Sequence, residues 1–300
     1  MLLAVDWAGV AQQVVAGLSS GGTYALLAVA LVLIYRATGV VNFAQGEMAM
    51  FSTFIAWSLT DHGLSYWPAF ALTVVASLAG GVVLERLAIR PVERASVLTV
   101  AMITIGLFFL FNGLAFWIWS PEVKSMPHAF SNRPIHVLGV AFSIADLGII
   151  AVSLGAVLLL WLFFRFTKLG LAMRAAALNP DSSRLVGVRV SWTIALGWGL
   201  AAALGAVAGL LAAPGLGSFD QNFMQPILLY AFAGAVLGGI DSALGAVLGS
   251  LMLGVFLNLI GTYVDWVGTD LRQPAALAVI LAVLLLRPAG LLGRAEARRV

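Results

Sequence analysis

KLGLAMRAAALNPDSSRLVGVRVS, residues Lys168 to Ser191, is the longest polar, basic interval in a chain that is otherwise almost wholly apolar. Asn179 suits a helix N-cap, and Pro180 suits the first helical position, where a missing N–H costs nothing. Asp181 in the first turn and Arg184 in the last complement the helix dipole, and a spacing of three lets them pair on one face. Gly187 is placed to close the helix in the left-handed conformation. The pattern predicts about two turns, roughly 10 Å of helix, with Leu185, Val186 and Val188 offering an apolar patch beside the charges. So short a helix is marginal alone, and the expectation is that it leans on a partner protein. Arg174 belongs to the same basic interval.

The flanks decide the fold class. Of 300 residues, 62% are hydrophobic and 10% charged, and mean hydropathy is +1.04. Apolar runs of about 20 residues read as transmembrane helices. Lipid admits only helices or closed barrels, and these runs are continuous rather than alternating, so helices are expected. The predicted class is an all-α polytopic membrane protein with about nine transmembrane segments, eight to ten in all. Residues 1–300 read as a single transmembrane domain. The first apolar segment, 9–36, is interrupted by SSGG at 19–22, where small residues would let another backbone approach. Broken or re-entrant helices are expected near 37–60 and 227–245, where apolar runs too short to cross adjoin polar breaks. The breaks at 39–47 and 234–245 hint at an internal repeat. The start, MLLAVDWAGV, has no basic n-region and carries Asp6, so it does not read as a cleaved signal.

Charge sets the expected topology. Thirteen of the sixteen Lys and Arg fall at 36, 86–94, 165–189 and 287–299; the others are Lys124, Arg133 and Arg272. If the first set is cytoplasmic, the spans alternate correctly. The loop 168–191 and the C-terminus are then inside, and the N-terminus and the loop 120–145 outside. The net charge of +3 is thus a matter of membrane topology, and no nucleic acid is expected as a partner. Trp7, Trp57, Trp67, Trp117 and Trp119 read as interfacial anchors.

Chemistry-bearing residues are sparse. No GxxxxGK[ST] motif occurs, so the chain is not expected to split ATP itself. His62, His128 and His136 fall in predicted external loops without clustered carboxylates, and cysteine is absent, so no metal site is expected. No HExxH or GxSxG pattern occurs, and no catalytic residue is assigned. Glu47 stands out, because an intramembrane carboxylate is costly and usually faces a cavity or a partner. With Asn42, Gln45 and Gly46 it is a candidate wall of a wet pathway. The alternative is that Asn42 and Glu47 only cap the half-helices at the break. Asp241 reads as an N-cap for 242–262 or a solute contact. Asp146 and Asn112 read as capping and interhelical hydrogen-bonding residues.

Two stretches resemble a known family, the membrane permeases of branched-chain amino-acid ABC importers, specifically the first of the two paired permeases. GLSSGGTYALLAVALVLIYRATGVVNFAQGEMAMFSTF, Gly17 to Phe54, contains NFAQGE, similar to the family's NFA-[HQ]-GE. KLGLAMRAAALNPDSSRLVGVRV, Lys168 to Val190, is similar to its cytoplasmic loop, with Ser183 where the family usually has Ala. The tail LLLRPAGLLG, Leu284 to Gly293, is also typical. The resemblance implies a bacterial-type inner-membrane location and four partners: a second homologous permease, two ATPase subunits and an external solute-binding protein. ATP and Mg would sit on the ATPases, with no cofactor in this chain. The coupling set would be Arg174, Asn179, Pro180, Asp181, Arg184, Leu185 and Gly187. Related systems carry urea, short amides or aromatic acids. An ion-coupled secondary transporter or channel using Glu47, and a membrane-embedded enzyme, are the readings from other classes.

Overall fold

The computed structural model describes residues 7–93, 95–131, 133–137, 140–264, 268 and 271–293. Asp6, Arg94, Arg294, Arg298 and Arg299, used above, lie outside them, as does the side chain of His136. The helices are α1 (Trp7–Thr38), α2 (Gln45–Asp61), α3 (Tyr66–Leu84), α4 (Val97–Trp119), α5 (Ile144–Phe166), α6 (Lys168–Leu178), α7 (Pro180–Leu185), α8 (Val190–Gly215), α9 (Met224–Gly238), α10 (Ala243–Tyr263) and α11 (Arg272–Leu286). A π turn and a 3-10 turn carry α3 on to Val92.

Six of these helices are long and apolar enough to cross a membrane: α1, α3 with its extension, α4, α5, α8 and α10. Two more apolar helices are shorter, α9 and α11 with 15 residues each, and α2, which carries Gln45 and Glu47, has 17. The chain is therefore a mostly helical polytopic membrane protein, in which six spans among the described residues meet the full length, against about nine expected. The loop at 120–145 also departs from an all-α reading. Pro134–Val137 pairs antiparallel with Val140–Ser143, where the β-branched Ile135 and Val140 suit extended chain.

Side-chain caps set several helix starts. Ser96 accepts from Thr99 N at 3.2 Å, Ser143 from Ala145 N at 3.1 Å, and Thr167 from Gly170 N at 2.9 Å. The cap before α5 is thus Ser143, and Asp146 sits in its first turn. Ser242, rather than Asp241, caps α10, accepting from Gly245 N at 3.1 Å.

α1 and α8 form the centre. Their most apolar windows are 78% and 83% buried inside the protein, whereas that of α5 is 6% buried and faces outward. α1 runs without a break through SSGG at 19–22. The small residues there allow the close approach of other helices that was expected of them. A Cβ on Gly21 would lie 2.9 Å from Leu251 Cα of α10, and one on Gly22 3.1 Å from Ser153 Cβ of α5. Close backbone approach is how apolar helices associate when lipid offers no hydrophobic drive between them.

The break after α1 falls where expected, with Gly39 at φ +73° and α2 starting at Gln45. The second break differs. α9 ends at Gly238, Gly239 takes φ +108°, and α10 folds back along α9 with Gly234 against Ser250 and Gly249 against Gly238. The polar GGIDS segment is a turn between antiparallel helices, not a kink in one crossing.

Candidate functional site

The residues Asn42, Gln45, Gly46 and Glu47 come together at the entry to α2 but divide in role. Asn42 Oδ1 accepts from Ala44 N at 3.0 Å, and its Nδ2 donates to Gln45 Oε1 at 3.2 Å. Gln45 Nε2 donates to the carbonyl of Ala201 in α8 at 2.9 Å. Both side chains are fully buried and their polar groups serve each other and the backbone. Gly46 lets α9 approach, since a Cβ there would meet the Leu228 side chain at 3.1 Å.

Glu47 turns the other way. Its side chain caps nothing, and the residue preceding α2, Ala44, makes no side-chain cap bond. Glu47 Oε2 accepts from Asn112 Nδ2 of α4 at 3.3 Å, and Oε1 accepts from Gln225 Nε2 of α9 at 3.3 Å. Asn222 Oδ1 joins the cluster, accepting from Asn112 at 3.3 Å and from Gln225 at 2.9 Å. Glu47 is buried, Asn112 is half-buried, and Asn222 and Gln225 are exposed. The carboxylate thus lies behind an accessible row of amides. It also sits in the first turn of α2, where the helix dipole favours negative charge.

An aromatic cluster flanks the cluster on the side of the 120–145 loop. Phe51 packs on Phe111 and Trp119 with ring centroids 5.3 and 5.0 Å apart. Phe54 packs on Trp119 and Phe219 at 5.3 and 5.2 Å. The segment carrying Phe219 is pinned by paired backbone bonds with Lys124, at 2.9 and 2.8 Å, and Gln221 Nε2 donates to Ser120 O at 2.6 Å. Trp119 donates to Ser58 Oγ at 2.6 Å and Lys124 lies 5.0 Å over Trp57. These two tryptophans therefore make internal contacts, unlike the exposed Trp7 and Trp117.

Asn222 and Gln225 are not among the residues that the sequence singled out. A signal was present. Asn-Phe-x-Gln occurs at 42–45 and again at 222–225, each time at the entry to a short helix that follows a long buried one. The side chains pair in both, with the donor exchanged: Asn42 donates to Gln45 Oε1, and Gln225 donates to Asn222 Oδ1. The better internal match is thus 42–45 with 222–225, not 39–47 with 234–245.

At 168–191, Asn179 Oδ1 accepts from Ser182 N at 3.0 Å, capping α7. Arg184 pairs with Asp181 at 3.0 Å. Gly187 has φ +85°. Pro180 stands at the first helical position and Leu185 ends the helix, 89% exposed, with Val186 exposed beside it. Arg174 lies apart, on α6.

Six membrane-length helices, a buried carboxylate behind accessible amides and a capped two-turn helix are the frame of a polytopic membrane protein. Residues 13–287 match the family described as branched-chain amino acid transport system / permease component, and the chain belongs to that family. It is similar to the high-affinity branched-chain amino acid transport system permease protein BraD of Pseudomonas aeruginosa, 33% identical over 96% of this chain and 97% of the relative. The corresponding protein LivH of Escherichia coli K12 is 32% identical with the same coverage. A probable branched-chain amino acid transport permease LivH of Methanocaldococcus jannaschii is 31% identical over 89% of this chain and 88% of its own.

Proposed function

We propose that this chain is the permease subunit of an ATP-driven importer for branched-chain amino acids or related small polar solutes, with ATP hydrolysed on separate subunits. The family match along residues 13–287 carries the reading. The chain itself performs no chemistry and holds no cofactor; it works with a second permease, two ATPases and an external solute-binding protein. All 300 residues act as one transmembrane unit in an inner membrane, with 168–191 and the C-terminus cytoplasmic and 120–145 external. The short helices α2, α9 and α11 complete nine alternating passes, α2 entering through the re-entrant break at 39–44.

Glu47, Asn112, Asn222 and Gln225 form part of the solute path. A zwitterionic amino acid needs an anion for its ammonium, amide donors for its carboxylate and an apolar wall for its side chain. The cluster and the adjacent rings supply all three. Exposed amides at this depth are costly against lipid, so a second permease subunit covers them and completes the wall. Asn42, Gln45 and Gly46 hold the entry to α2 against α8 and α9 and thereby aim Glu47.

α7 is the coupling element. Closure of the ATPases moves it as a rigid body and switches the path between its two openings. Gly187→Val forces a β-branched residue to φ > 0, at a cost of about 1–2 kcal/mol, and displaces Leu185 and Val186 from the docking surface. The expected result is ATP hydrolysis with much less uptake per ATP. Asn179→Ala, which loses a cap worth about 1 kcal/mol, should act in the same direction but more weakly. Both are read as the ratio of solute taken up to phosphate released. An unchanged ratio in both variants removes α7 from coupling.

The function is tested by reconstituting the chain with its partner subunits in proteoliposomes and following labelled leucine. Uptake should require ATP and the external binding protein. The buried carboxylate favours one second reading, an ion-coupled carrier; uptake by the chain alone on a proton or sodium gradient, indifferent to ATP, would establish that instead. Competition by urea, short amides or aromatic acids separates the solute classes.

A further inference from the structure

A cleft of about 900 Å³ opens between α1, α5 and α8, closed at one end by α6 and α7. Its walls are apolar, including Val32 and Leu33 of α1, Val157 and Trp161 of α5, and Ile194 of α8. Leu158 and Trp161 are more than half exposed, so the cleft opens sideways through α5, the helix least covered by the rest of the protein. The charged groups gather at the α6–α7 end: Arg36, Arg174, Arg184, Glu93 and Asp181. Asp181 and Arg184 satisfy each other at 3.0 Å. Among the described residues, neither Arg36 nor Arg174 has a carboxylate within ion-pairing distance. Arg174 Nε is moreover buried without a hydrogen-bond partner. A buried donor left unpaired costs about 1–3 kcal/mol, and guanidinium is matched best by the paired oxygens of a phosphate or carboxylate.

The cleft is separate from the Glu47 cluster. None of α2, α4 or α9 lines it. α8 stands between them, giving the Ala201 carbonyl to Gln45 and Thr193, Ile194 and Gly197 to the cleft. An occupant here must be apolar over most of its length, reach the cleft from the lipid side and end in an anion. Solutes small and polar throughout do not fit that description.

We propose that the cleft holds one anionic phospholipid, its phosphate on Arg36 and Arg174 and its acyl chains between α1, α5 and α8. Basic pockets between membrane helices near the cytoplasmic surface take anionic headgroups in this way. Pro180, Asp181 and Arg184 of α7 line the same cleft, so the lipid also braces the two-turn helix from behind while Leu185 and Val186 face outward. Arg174, grouped by sequence with the docking residues, serves the lipid instead.

The test is native mass spectrometry of the full-length chain, co-expressed with its partner subunits and released from nanodiscs of mixed phosphatidylcholine and phosphatidylglycerol. One phosphatidylglycerol should stay with each copy of the chain. Arg36→Gln and Arg174→Gln should each weaken its retention about fivefold, the worth of one basic residue at a lipid surface. Gly197→Leu tests the acyl end with both arginines intact. A Cβ there meets nothing closer than Met173 Cε at 3.8 Å, and leucine suits a helix interior, so the side chain fills the cleft without disturbing α8. It should empty the site. Arg165→Gln, a basic residue outside the lining, should change nothing. Equal retention of phosphatidylcholine, or phosphatidylglycerol retention indifferent to all three cleft substitutions, overturns the proposal. So does a partner polypeptide cross-linking into the cleft in its place.

Discussion

Glu47→Gln is expected to lower solute uptake by the assembled transporter by about ten- to a hundredfold while the protein still reaches the membrane. The substitution keeps volume and shape, so the packing around α2 survives. It changes one acceptor into a donor. In the native cluster one carboxylate oxygen takes Asn112 Nδ2 and the other takes Gln225 Nε2, so a glutamine amide must point an N–H₂ at one of two other N–H₂ groups. Rotating Asn112 to relieve the clash would sacrifice its bond to Asn222. Hydrogen bonds to a charged group are worth about 1.5–3 kcal/mol, and each 1.4 kcal/mol is about a factor of ten. The anion that would receive an ammonium is lost as well. Labelled leucine uptake into proteoliposomes, set against the amount of assembled complex, measures the effect. Undiminished uptake would remove Glu47 from the solute path and leave it a structural residue.

Gly254→Leu should prevent stable folding, with a loss of at least about 3 kcal/mol, beyond the usual range for overpacking. At this position α10 meets α1 backbone to backbone. A Cβ would lie 2.6 Å from both Cα and N of Gly21 and would also collide with the Gly17 carbonyl. None of these atoms is the end of a flexible side chain that could swing away, so α1 and α10 must separate. Gly80→Leu provides the contrast, because nothing lies within 4 Å of a Cβ there; it should be near neutral. Thermal unfolding followed by size-exclusion chromatography of the solubilised protein checks both. Equal melting of the two variants would mean that α1 and α10 are not packed through these glycines.

Much of this was legible in the chain. The segment boundaries emerge from hydropathy, because a span is a property of composition over about 20 residues. The α7 cap, ion pair and left-handed glycine were legible because each joins residues at most a few positions apart. The Glu47 cluster was legible only in part. Asn42, Gln45 and Glu47 stand out as polar residues in an apolar field, but nothing local assigns Asn42 and Gln45 to α8 and Glu47 to α4 and α9. The GGIDS segment was legible only in part for a related reason. Glycine marks both a chain break and a close helix contact, and the two differ only in whether another backbone is present.

By itself the sequence determined that this is a helical membrane protein, where its long helices run, and that a capped two-turn helix closes on Gly187. Those outcomes rest on solvent preference and local backbone chemistry, which act over one to five turns. Only the tertiary structure decided that Glu47 meets Asn112, 65 positions away, and Gln225, 178 positions away. It alone placed Arg36 and Arg174 on one cleft. The physical reason is that these helices are apolar all round. A helix with no polar face carries no imprint of its neighbours, so which helices touch is settled by steric fit among small residues and becomes visible only once the chain is packed.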